Sequence, residues 1–293
     1  RLALEGEPRR PSVNKPTIAR LKAGLGDGLR LHRSWLQGHL HAKIYAFSGP
    51  TPSAFIGSYN PSGGVTEPEL IADIGDQDRG ENLLVDFRDP AAVTALAAQA
   101  RRIWEGRFLF RFSRRANTAE RIGDDVSFYY FPRLRPDVVE RRLGRLGDGD
   151  AVRAAVSHMK KGAFASKLAA AARRGAKVEL VVHDTKRRVP RDVVAELRRS
   201  GVQVMRFCDP EDLPMHAKFV IIDHHGRRTA WFGSLNYNFS SRFLNQEILA
   251  GTAQPHVVEA FEGRFRRLAG EAASRTCPAD AGRATPPPSD AGA

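Results

Sequence analysis

The chain is poor in aromatic residues, lysine and cysteine, and it contains no long apolar run. Phe, Trp and Tyr make up 8% of its 293 residues. They are too sparsely interleaved with cations to form a stacking platform for single-stranded nucleic acid. No apolar run reaches the roughly 18 residues that a membrane-spanning helix needs. The two cysteines, Cys208 and Cys277, are far apart and lack metal-ligand spacing, so two unpaired thiols are expected rather than a disulfide. Only nine of the 46 cations are lysine. The formal net charge of +13 suits a polyanionic partner: nucleic acid, an anionic lipid surface or a phosphorylated substrate. The arginine skew weakens that inference. Pairs such as Arg101–Arg102, Arg141–Arg142 and Arg173–Arg174 fall on predicted helices, where they read as solvated faces.

What the sequence does contain is an internal repeat, the first feature to seek because it dictates the fold. HLHAKIYAF (39–47) and LPMHAKFVIID (213–223) share His-Ala-Lys; FIGSYN (55–60) and WFGSLN (231–236) share Gly-Ser-x-Asn. The His-to-Asn separation is 19 residues in the first copy, His41 to Asn60, and 20 in the second, His216 to Asn236. Strand residues alternate faces, so His216, Lys218, Val220 and Ile222 share one. A buried His and Lys on one face are costly unless they pair or line a site. Downstream, DPAAVTALAAQARRIW (89–104) and QPHVVEAFEGRFRRLA (254–269) both open with a proline suited to a first helical turn, then space apolar residues helically.

The second copy is preceded by a predicted strand (151–159), a helix (163–175) closed by Gly175 and a strand (177–184). In the first copy RLALEG matches only the last of these. With Arg1 in place of an initiator Met, the expectation is a chain lacking about 30 residues of its first repeat, where any leader or anchor would lie. The expected class is α/β: two similar halves with mainly parallel sheets flanked by helices. Expected boundaries are a first half over 1–110, a linker over 111–126, a second half over 127–272 and a disordered, Pro-rich tail over 273–293.

These motifs resemble those of the phospholipase D superfamily, marked by a twice-occurring H-x-K-x4-D followed by G-S-x-N. The second copy matches at His216, Lys218, Asp223, Gly233, Ser234 and Asn236. The first matches at His41, Lys43, Gly57, Ser58 and Asn60, with Ser48 in place of the Asp. Position 48 lies seven residues past His41, on the opposite strand face, so the Asp reads as supporting rather than catalytic.

The resemblance implies a pseudo-two-fold with the active site between the halves. It makes His41 the nucleophile and His216 the acid, with Lys43, Lys218, Ser58, Asn60, Ser234 and Asn236 holding the phosphate. It implies no metal and no cofactor. An acceptor should orient each histidine. Glu247 fits in the second copy; in the first, Glu69, Asn82 and Glu81 remain open. GSLNYNFSSRFLNQE resembles the cardiolipin synthase and phosphatidyltransferase branch, although Ser241 and Arg242 are reversed. The expected substrate is therefore a phospholipid, with an anionic membrane surface as partner and a monomeric chain. The alternatives are a nuclease acting on nucleic acid and a catalytically inactive binding module. The other histidines read as structural: His158 ends a predicted strand, with a place lining the cleft as the alternative, His224 and His225 read as a turn before Gly226, and His183 reads as loop or surface.

Overall fold

The structure is a computed structural model, and it describes residues 1–6, 11–32, 38–60, 80–106, 119–211, 213–275 and 277. The second repeat builds one eight-stranded sheet flanked by helices, in the order β10-β9-β8-β11-β12-β13-β7-β6. Its strands are β6 (Glu120–Ile122), β7 (Val126–Phe131), β8 (Ala151–Val156), β9 (Lys177–His183), β10 (Gln203–Phe207), β11 (Lys218–His224), β12 (Arg227–Gly233) and β13 (Glu247–Thr252). Helix α4 (Ala163–Arg173) connects β8 to β9, and α5 (Arg191–Arg199) connects β9 to β10. These two crossovers produce the only parallel pairings of the sheet; the other five are antiparallel. The α/β class holds, but the sheet is mixed rather than mainly parallel. The motif strands follow one another through short connections, and short connections enforce antiparallel pairing.

The first repeat forms two small sheets. Strands β1 (Leu2–Glu5) and β2 (Leu29–His32) pair in parallel, and α1 (Pro11–Leu25) lies between them in the chain. Strands β3 (Ile44–Phe47), β4 (Ser53–Gly57) and β5 (Leu84–Phe87) pair antiparallel. These pairings repeat β9-β10 and β11-β12-β13. In the second half β8 joins the two groups; among the described residues of the first half no strand occupies that place.

Helices α2 (Pro90–Trp104) and α7 (Pro255–Ala273) close the two repeats. Asp89 caps α2 by accepting from the Ala92 N–H at 2.8 Å. An apolar core joins the halves, with Ala54, Ile56 and Leu96 of the first packed against Phe128, Phe219, Phe232 and Ile248 of the second. Phe87 meets Phe128 edge-on at 5.2 Å. This burial holds the two motif strands in fixed relation.

Three expectations change. The linker expected over 111–126 is in part sheet: β6 and the first residue of β7 lie within it, while 111–118 lie outside the described residues. Cys208 and Cys277 are disulfide-bonded, with Cα atoms 5.7 Å apart. The fold places the two cysteines side by side where their spacing in the chain does not. The same bond anchors Cys277 inside the tail expected to be disordered; 276 and 278–293 lie outside the described residues.

Candidate active site

Two short backbone crossings join the halves. Leu40 bridges Gln246, with the His41 N–H donating to the Gln246 carbonyl at 3.0 Å. Met215 bridges Glu81, with the His216 N–H donating to the Glu81 carbonyl at 3.2 Å. The next residue on each side is a candidate site residue, so His41 meets Glu247 and His216 meets Asn82. Nδ1 of His41 donates to Oε2 of Glu247 at 2.7 Å. Nδ1 of His216 donates to Oδ1 of Asn82 at 2.9 Å. With Nδ1 carrying the proton, Nε2 of each neutral ring is left as a lone pair for a ligand. Each histidine is thus oriented from the opposite half.

The acceptors are exchanged relative to expectation: Glu247, expected to orient the second-copy His216, holds His41, and of the first-copy candidates Glu69, Glu81 and Asn82 it is Asn82 that holds a histidine, His216 rather than His41. Glu81, on the other side of its segment, pairs with Arg264 and Arg267 of α7 at 2.5 and 2.7 Å. Glu69 lies outside the described residues.

The motif serines do not take the role expected of them. The Ser58 hydroxyl donates to Oδ1 of Asn82 at 3.2 Å and accepts from the Leu83 N–H at 3.0 Å. The Ser234 hydroxyl donates to Oε2 of Glu247 at 2.5 Å and accepts from the Ile248 N–H at 3.1 Å. Both are fully buried. Each hydroxyl donor is committed to the group that orients a histidine, so the serines are positioning residues rather than phosphate ligands. The preceding glycines have a related cause. A Cβ on Gly57 would stand 2.0 Å from the Leu83 carbonyl, and one on Gly233 2.2 Å from that of Ile248. Only glycine lets these strands approach so closely.

The lysines are held alike. Nζ of Lys43 donates to the His41 carbonyl at 2.7 Å, and Nζ of Lys218 to the His216 carbonyl at 2.6 Å. Each keeps further N–H donors for a ligand. Oδ1 of Asn236 is buried without a protein partner, which costs free energy unless a ligand satisfies it. Asn60 is half-buried at the matching place. Asp223 lies five residues beyond Lys218, about 17 Å along β11, so it does not reach the phosphate pocket. Ser48 is exposed past the end of β3.

Electrostatics sharpen the site. Burial lowers the Lys43 pKa to about 8, against the pull of Glu247, and takes Lys218 well below its usual value, with Lys43 adding repulsion. Burial and the neighbouring lysines also lower both histidines, His216 well below the ordinary range. Burial works against the Glu247 carboxylate, but His41, Lys43 and the Ser234 hydroxyl outweigh it and keep it ionised. The site therefore concentrates positive potential around one carboxylate, which suits an anionic ligand.

Sequence reasoning does not single out Arg188, a buried guanidinium that donates to the Ser157 hydroxyl at 3.2 Å and depresses the pKa of His216. It reads as one of three consecutive basic residues until the fold buries it. His158 is largely buried, within electrostatic reach of Lys218 and His41. His183, expected in a loop or at the surface, is the buried last residue of β9. His224 and His225 form the expected turn with Gly226. Asp150 fastens it, accepting from Nδ1 of His224 at 3.1 Å and the His225 N–H at 3.0 Å. His225 and Gly226 have φ of 52° and 78°, as a tight hairpin turn requires. This group lies at the far end of β11 from Lys218.

The second half, with its fully formed motif, matches the family model described as cardiolipin synthase, PLD-like domain, over residues 149–269. Over those residues the chain carries a phospholipase D-like domain. Members of the superfamily are phosphodiesterases and transferases. A phosphatidylserine synthase from Haemophilus influenzae Rd KW20 shares its fold at TM-score 0.61 and 12% identity, over 92% of this chain and 73% of that one. The phospholipase D family member Nuc from Salmonella typhimurium aligns at TM-score 0.43 and 20% identity, over 50% of this chain and 94% of Nuc. No curated protein matches this chain.

Proposed function

We propose that this phospholipase D-like protein cleaves or exchanges phospholipid head groups through a phosphohistidine on His41. The observation that supports this most directly is the reciprocal holding of His41 by Glu247 and His216 by Asn82, with Lys43 and Lys218 buried beside them. Lys43 and Lys218, with the side-chain amide N–H groups of Asn60 and Asn236, donate to the non-bridging oxygens of a phosphodiester. Nε2 of His41 attacks phosphorus, a P–N bond forms, and the P–O bond to the head group breaks. His216 gives its Nε2 proton to the departing alkoxide. It then takes a proton from water or an alcohol, whose oxygen attacks phosphorus and frees His41. Phosphorylation leaves a positive charge on the His41 ring, and the Glu247 carboxylate stabilises it. Entry of the phosphodiester anion offsets the lysine charges that depress His216 and restores its proton.

The lipid substrate is favoured by the segment from Ser234 to Glu247 and by the family model, whose description names cardiolipin synthase. A nuclease is the second reading, favoured by the net charge of +13. The discriminating assay runs phosphatidylglycerol vesicles and plasmid or single-stranded DNA side by side at about 50 and 200 mM salt. Head-group release with little DNA cutting is expected. DNA cleavage that collapses at the higher salt, with no head-group release, decides for the nuclease, because each phosphate contact releases counterions.

His216 faces a neutral amide where His41 faces a carboxylate, and that difference can be titrated. Asn82→Asp places a negative charge beside Nδ1 of His216 and raises its pKa. An acid must be protonated to act, so the alkaline limb of kcat/KM should move to higher pH by about one unit. A pH–rate profile of the variant that overlays the original would contradict the assignment of His216 as acid.

A further inference from the structure

We infer that the edge of the molecule bearing His41 and His216 is a docking face for an anionic phospholipid bilayer, with α6 (Phe239–Phe243) inserted as its apolar anchor. This rests on the phospholipid reading above and adds the surface through which the site meets its substrate.

Seven large apolar side chains are exposed among the described residues, and five of them lie on this one edge: Leu84, Leu134, Phe239, Phe243 and Leu244. The topology puts them there. Strand β7 ends, and β13 begins, at the Phe131–Glu247 pairing, so Leu134 follows directly from the site. Leu84 pairs with Gly57, next to Ser58. Leu244 precedes Glu247 by three residues, at most about 11 Å of chain.

Helix α6 is built to present apolar surface outward. Asn238 caps it, accepting from the Ser241 N–H at 2.9 Å. Ser241 and Arg242 face inward and are buried, and Arg242 pairs with Glu140 at 3.1 Å. Phe239 is 68% exposed and Phe243 44%; their rings meet at 5.0 Å, one helical turn apart. The inward pair anchors the helix and leaves the two phenylalanine rings packed on each other with much of their surface exposed. Exposed aromatic surface beside an active site marks an interface.

The charge around this patch fits an anionic bilayer. Lys161, Lys186 and Arg187 are exposed on the neighbouring loops, and Arg135 stands exposed beside Leu134. The Lys160 N–H donates to the Tyr237 carbonyl at 3.1 Å, which joins this basic loop to the segment leading into α6. The carboxylates of the Arg135 and Lys186 loops are already engaged, Asp137 with Arg141 and Asp184 with His183. Basic side chains hold a protein at an anionic leaflet while apolar ones enter the acyl boundary. A nucleic acid would use the cations but leave the apolar side chains idle.

The test is the double variant Phe239→Ser and Phe243→Ser in the full chain, with thermal unfolding followed to verify that the fold is intact. Flotation with vesicles of phosphatidylglycerol and phosphatidylcholine measures binding, and a water-soluble short-chain phosphatidylglycerol measures turnover without a bilayer. Vesicle binding and vesicle hydrolysis should fall at least about tenfold, with turnover of the soluble lipid unchanged. Undiminished flotation of the variant overturns the docking face while leaving the proposed reaction standing. Flotation that depends on the two phenylalanines, with neither lipid cleaved, supports the face and removes the phospholipase reading. Loss of single-stranded DNA binding in the variant, without vesicle binding by the original protein, overturns the inference in favour of a base-stacking surface.

Discussion

His41→Ala should abolish the covalent intermediate and lower turnover by about 10⁴-fold or more, because the nucleophile and its orienting group act as a unit. The geometry carries this expectation. Among the described residues Glu247 accepts from no other histidine, and the Ser234 hydroxyl is already committed to the same carboxylate oxygen. Quenching of the enzyme and a ³²P-labelled phosphodiester in alkaline detergent, followed by electrophoresis at alkaline pH, measures the acid-labile, base-stable phosphohistidine directly. Retention of label in the His41 variant would transfer the nucleophilic role to His216. Glu247→Gln should retain some label but turn over more slowly, since it keeps an acceptor for Nδ1–H and loses the charge that stabilises the phosphorylated ring.

His216→Ala should divide substrates by their leaving group. An acid matters most where the departing alkoxide is basic, so head-group release from a natural phospholipid should fall by about 10³-fold. A nitrophenyl phosphodiester, whose leaving group needs no proton, should lose less than about tenfold. Equal losses on both substrates would show that His216 positions the phosphate rather than protonating the leaving group. The variant leaves Asn82 without its histidine, but the Ser58 hydroxyl and the Gly80 carbonyl still satisfy that amide, so the pocket should keep its shape.

The sequence by itself determined which residues are the candidates for the chemistry. His41, Lys43, His216, Lys218, Asn60 and Asn236 are legible because two copies of one unit repeat them at nearly one spacing, and a repeated polar pair in an apolar strand has few structural explanations. Family and fold class follow from the same pattern. The sequence could not determine which residues meet across the chain. Glu247 holds His41 from 206 residues away and Asn82 holds His216 from 134 residues away, because the orienting bonds cross between halves. Periodicity reports only neighbours within one element, so Glu69, Glu81 and Asn82 stayed equivalent until the Glu81–Met215 crossing put Asn82 opposite His216. The same limit explains the serines, whose hydroxyls look like phosphate ligands in a motif and prove committed to a neighbouring strand. It also explains Cys208 and Cys277, separated by 69 residues in the chain and joined by the docking of α7 beside β10. Local chemistry lies in the order of residues; partnership at long range depends on apolar burial between the halves, which only the folded chain expresses.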